Sequence, residues 1–152
     1  MCVVSWPEHI AADPSPRQQY IHAVDVVPTL YELLGIEPPE EINGYLQSPI
    51  EGESFAAALT DPTVPGKRTQ FYTMLGQRSL YHDGWLASTV HPPLSSWGNF
   101  DKDEWELYHL ESDRSQSTNV AAEHPDIVAR IRRIMDAEHT PSKIFPMAPI
   151  DK

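Results

Sequence analysis

Hydrophobic and polar positions alternate along this chain in several distinct ways. Residues 2–6, Cys-Val-Val-Ser-Trp, form a largely apolar run, which predicts a short strand of the kind buried on both faces of a parallel sheet. A loop broken by Pro7, Pro14 and Pro16 fills 7–19. Val26, Val27, Leu30, Leu33 and Leu34 then recur at helical spacing. Asp25 stands where an N-cap belongs, Pro28 falls in the first turn, where a missing N–H costs nothing, and Gly35 sits at the left-handed position after the last turn. A helix over 25–34 follows.

Residues 37–55 are rich in proline and glycine and read as irregular, and the stretch Ser54–Asp61 predicts a short helix before a turn over 61–68. Period-two patterns then return. Strands are expected at 69–75, 77–82, 85–90 and 105–110, with Asp83-Gly84 as a two-residue hairpin turn. A long polar and aromatic loop occupies 91–104. Pro125 opens a helix of about fifteen residues, in which Ile127, Val128, Ile131, Ile134 and Met135 share one face. Arg130, Arg132 and Arg133 lie mostly on its other face, as expected of a solvated helix surface, and the tail after 140 is broken by prolines. The expected architecture is therefore α/β up to residue 60 and α+β over 61–152, the second part being an antiparallel sheet of four strands packed on a C-terminal helix.

Composition narrows the function. Of the 152 residues, 22 are acidic and 11 basic, a net charge of −11, which argues against a nucleic-acid or anionic-membrane surface, since both need a positive face. Prolines number 15, about twice the usual share of roughly 5%. Cys2 is the single cysteine, so no disulfide within the chain and no cysteine metal cluster is possible, and its place in an apolar run predicts a small buried hydrophobe. The first residues lack the basic region of a signal peptide, and no apolar stretch approaches the roughly 20 residues of a transmembrane helix. A soluble chain is expected.

Few residue patterns in the chain point to chemistry. His9, His22, His82, His91, His109, His124 and His139 form no HxH, HxxxH or HExxH pattern. His22 and Asp25 share a helical spacing, which is explained by a capping aspartate beside a hydrogen-bonded histidine. No GxGxxG, GxxxxGK[ST] or GxSxG occurs. Asp101, Asp103 and Glu104 lack the alternation of a calcium loop and read as a solvated turn. The loop with His91 and Trp97 is of a kind that lines pockets or packs on its own sheet.

One family resemblance runs along nearly the whole chain. The blocks VVSWPEHI, HAVDVVPTLYELLGI, NGYLQSPIEGESFAAAL, TQFYTMLGQRSLYHDGWLAST and WELYHLESDRSQSTNVAAEHPDIVARI, in this order, resemble the C-terminal part of a bacterial arylsulfatase, in the alkaline phosphatase superfamily. The resemblance implies hydrolysis of aryl sulfate esters by a formylglycine made from a C/S-x-P-x-R motif, with a divalent cation, usually calcium, polarising the sulfate. Asp-Pro-Ser-Pro-Arg at 13–17 is not that motif, having Asp13 in place of Cys or Ser and Ser15 in place of Pro. No catalytic or metal residue is carried over.

The resemblance further implies that 1–60 is a remnant of the large α/β domain and 61–152 its C-terminal subdomain, with His91 and Trp97 as candidates for the pocket rim. The strand at 2–6 would then lack its neighbours. Val3 and Val4 would expose strand edges, and the apolar stripe of the helix at 25–34 would face solvent. Such a chain has no turnover of its own and either self-associates or associates with a catalytic half. The alternative is a stand-alone binding module that reuses the C-terminal sheet and helix without chemistry.

Overall fold

A computed structural model describes residues 2–74, 76–91 and 102–142, with side chains of the last helix described up to residue 137. The chain divides into two compact units, 1–68 and 69–152.

The first unit is built around one helix, α1 (Val26–Leu34), preceded by a single 3-10 turn at Ala23–Asp25. His22 starts that turn. Its Nδ1 accepts from the Val24 N–H at 3.3 Å, and the Asp25 carboxylate reaches back to accept from the His22 N–H at 2.7 Å. The capping roles are thus shared in an order opposite to the expected one: His22 is the cap and Asp25 the returning acid. Gly35, at φ +63°, ends α1 as expected, with Gly35 N–H bonded to Glu32 O and Ile36 N–H to Tyr31 O.

Three expectations fail here. Residues 2–6 form no strand, and Val3 is 81% exposed, because no partner strand meets their backbone groups among the described residues. Cys2 is exposed as well, not buried. The stretch read as irregular contains a small hairpin, β1 (Glu41–Ile42) and β2 (Tyr45–Leu46). Its turn is Asn43-Gly44, with φ +53° and +85°, the left-handed pair that a tight hairpin requires.

The segment 61–68 belongs to the first unit, since Gln19 Nε2 donates to Pro62 O and Val64 O, and the Lys67 N–H bonds Tyr20 O. The short helix expected after Ser54 is a 3-10 turn at Ala56–Leu59.

The second unit is an antiparallel meander, β3 (Thr69–Met74), β4 (Gln77–His82), β5 (Trp85–Val90) and β6 (Glu104–His109), in spatial order β3-β4-β5-β6. It is covered by α2 (Pro125–Ser142). Asp83-Gly84 makes the β4–β5 turn at φ +48° and +83°. Leu80, Ala87 and Leu107 from three adjacent strands meet Ile131 and Met135 of α2 in a fully buried core. Ile127, Val128 and Ile134 pack against that core, so the stripe expected of this helix is the face that docks. Asn119 ties the connection to the sheet. Its Oδ1 accepts from the N–H groups of Leu107 and Ala121, while Val120 N–H bonds Leu107 O.

Candidate functional site

The period of two along the strands decides which polar groups are drawn inside. Arg78, Thr89, His91 and Asp103 share parity with Leu80, Ala87 and Leu107, the residues that face α2. His91 follows β5 and Asp103 precedes β6, next to the last ladder pair, Val90 and Glu104. His91 is 1% exposed, and its Nδ1 lies 2.6 Å from Asp103 Oδ1. Asp103 Oδ2 accepts from the Arg78 guanidinium at 2.7 Å. The Arg78 N–H bonds Thr89 Oγ1 at 2.9 Å, so the cation is fixed to β5 by its backbone as well.

Asp103 can only accept from an imidazole, so His91 directs the proton of Nδ1 at it and turns Nε2 the other way. Arg78 anchors the carboxylate that orients the ring. Arg78 also lies 5.8 Å from the ring centre of Trp105, and Arg132 of α2 lies 5.6 Å from it. Gly76, at φ +91°, makes room for this arrangement: a Cβ there would lie 2.6 Å from His91 Cδ2. The cluster orients a histidine and clips the ends of three strands together.

The solvated turn expected at 101–104 is therefore wrong for Asp103, whose side chain is 2% exposed. Its parity with Trp105 and Leu107 was the signal in the sequence. Trp97 and Asp101 lie outside the described residues.

A second buried ionic group lies in the first unit. Asp25 Oδ1 is 2.6 Å from Lys67 Nζ and accepts from the Glu53 N–H at 2.9 Å, while Oδ2 holds the His22 N–H. Burial works against the charged form of Asp25, but the bond from Lys67 and those from Glu53 and His22 outweigh it and hold the carboxyl below the ordinary aspartate range. Thr29 Oγ1 accepts from the Phe55 N–H at 3.1 Å. Gly52 passes so close that a Cβ would lie 2.1 Å from Val24 O. The loop at 52–55 is thereby sewn to the first turns of α1.

Beside this pair is a cavity of about 130 Å³, lined by Gln19, Asp25, Phe55, Ala58, Val64 and Lys67. It has room for a few waters at about 30 Å³ each and is well below the roughly 300 Å³ of small-molecule sites. It is not a substrate pocket.

The two faces of α1 are inverted relative to an ordinary surface helix. Asp25 and Thr29 are buried, whereas Val26, Val27, Leu30 and Leu34 are 40–60% exposed. The acceptors on the inner side are needed by the N–H groups of Glu53 and Phe55, which leaves the apolar side uncovered.

Among the described residues no group of three His, Cys, Asp or Glu side chains could hold a metal ion. Among them also, no helix is long and apolar enough to cross a membrane.

No family model matches the chain. An uncharacterized sulfatase of Schizosaccharomyces pombe is 26% identical over 129 residues, 83% of this chain and 22% of that protein. The chain carries sulfatase homology. It spans about a fifth of the length of this sulfatase relative.

Solved structures show the same fold. A Bacteroides thetaiotaomicron 6S-sulf protein, from a locus for the metabolism of multiple glycosaminoglycans, superposes at TM-score 0.55 with 20% identity, covering 76% of this chain and 24% of its own. A protein solved with its substrate D-glucosamine-2-N,6-O-disulfate superposes at 0.52 with 16% identity, covering 80% and 24%. The protein Ps i-CgsB gives 0.53 with 19% identity, covering 80% and 24%. Sulfatase homology thus rests on sequence and the fold on these superpositions.

Proposed function

We propose that the chain is the C-terminal portion of an arylsulfatase-like sulfuric ester hydrolase and has no turnover by itself. One observation carries this reading: the homology covers 83% of this chain but only 22% of the sulfatase it matches. Within that span the sequence holds no C/S-x-P-x-R motif. In this reading formylglycine and calcium belong to the part of the relatives that the chain does not span.

The inverted helix α1 supports the same reading. Four aliphatic side chains left half in water on one helix are the kind of surface that a larger body covers. The sheet and helix of the second unit add a preformed support for His91, oriented by Asp103, and in this reading His91 and Trp97 serve the pocket rim. The substrate class is a sulfate ester, with sulfated sugars suggested beside aryl sulfates by the ligand named for one protein of the same fold.

The test is direct. The purified chain, given an aryl sulfate and calcium, should release no product above the buffer background. Turnover by the chain alone would overturn the proposal.

A further inference from the structure

His82, at the end of β4, sits between three elements and cannot satisfy all of them in one protonation state. From β3, Thr69 Oγ1 lies 2.9 Å from Nδ1. From α2, the Arg130 guanidinium lies 3.1 Å from Nε2. From the β4–β5 turn, Asp83 Oδ2 lies 3.3 Å from the same Nε2 and 3.6 Å from Arg130. Across the ladder His82 pairs with Trp85, whose ring meets His109 in a tilted contact at 4.5 Å and His124 edge-on at 5.1 Å. Glu111 is the further carboxylate near the turn, at Gly84.

A guanidinium has no lone pair to offer. It can only donate, so the contact with Arg130 requires Nε2 to carry its lone pair and Nδ1 its proton, which then goes to Thr69 Oγ1. A proton added at Nε2 removes that acceptor, sets two cations side by side, and brings positive charge to 3.3 Å from Asp83 Oδ2. We propose that His82 is a pH-operated latch between the sheet and α2: neutral, it holds Arg130; protonated, it releases Arg130 and holds Asp83 instead. The exchange accompanies protonation of the imidazole. His82 is 9% exposed and Arg130 is 55% exposed at its side chain, so the released arm already faces water.

The test uses the full chain. Long-range proton–nitrogen correlation at about pH 8 should show His82 as the Nδ1–H tautomer, with its signal identified by loss in His82→Gln. Hydrogen exchange of the α2 amides around residue 130, corrected for intrinsic rates, should speed up between about pH 7.5 and 5.5. That acceleration should disappear in Arg130→Met, an exposed substitution that leaves the core intact. The Nε2–H tautomer at the higher pH, no acceleration in the parent chain, or an undiminished acceleration in Arg130→Met would each overturn the proposal.

Discussion

Lys67 Nζ lies 2.6 Å from Asp25 Oδ1, and the two side chains are 7% and 1% exposed. They join the start of the first unit's helix to the last residues before the sheet. Removing one partner of a buried pair strands the other charge, at a cost of about 3–5 kcal/mol. Lys67→Met is therefore expected to lower the stability of the first unit by about that amount, whereas Asp25→Asn added to it recovers part of the loss. Urea unfolding of the single and double variants measures both.

Acid should weaken the chain through two aspartates. Asp113 is held at about 2 by the N–H groups of Thr118 and Ser117, and Asp25 is held below its ordinary range despite burial. A carboxyl whose folded pKa lies below its unfolded value, about 3.9, contributes fully above that value and loses its contribution as pH falls through the folded one. The urea midpoint should stay level down to about pH 4 and drop toward pH 2, with a shallower drop in Asp113→Asn.

Gly76 tests the histidine cluster. A methyl group there meets His91 Cδ2 at 2.6 Å, at a φ of +91° that L residues rarely adopt. Gly76→Ala should cost about 1–3 kcal/mol and shift the ring resonances of His91, since relief requires the imidazole to move off Asp103. An unchanged His91 spectrum would show that the ring is not held as described.

Two leucines of similar size should behave in opposite ways. Leu107 is completely buried under α2, so Leu107→Ala should cost about 2–5 kcal/mol. Leu34 is 60% exposed, and Leu34→Ala in the free chain should change stability by only about 0.5 kcal/mol in either direction. The same exposed stripe should bind a hydrophobic dye, and Leu30→Glu should reduce that binding.

The second unit was legible because its signals are local. Asp83-Gly84 demands a hairpin wherever it stands between alternating segments, and the spacing of Ile131 and Met135 fixes the inner face of α2. Residues 2–6 misled because an apolar run has strand character only where other strands meet it, and none does among those described. The Asn43-Gly44 turn was present in the sequence but lay amid prolines, which masked a two-residue strand on each side. In α1 the stripe was legible and its exposure was foreseen from the resemblance. The burial of Asp25 and Thr29 was not, because it depends on N–H groups 26 and 28 residues away. His91 and Asp103 stand 12 apart, a spacing with no meaning until two strands place them side by side.

The Asp25–Lys67 contact also sets an order of events at the ribosome. Its partners are 42 residues apart, so at about 5–20 residues per second the aspartate emerges roughly 2–8 s before its lysine. During that wait the Asp25 carboxylate at the start of α1 lacks its counter-charge. The meander that follows has no such delay, since β4 and β5 each pair with the strand made just before them. The later-made half can thus pair its strands in the order they emerge and seals its core when Ile131 and Met135 follow, while the earlier-made half closes its buried charge pair only when residue 67 arrives.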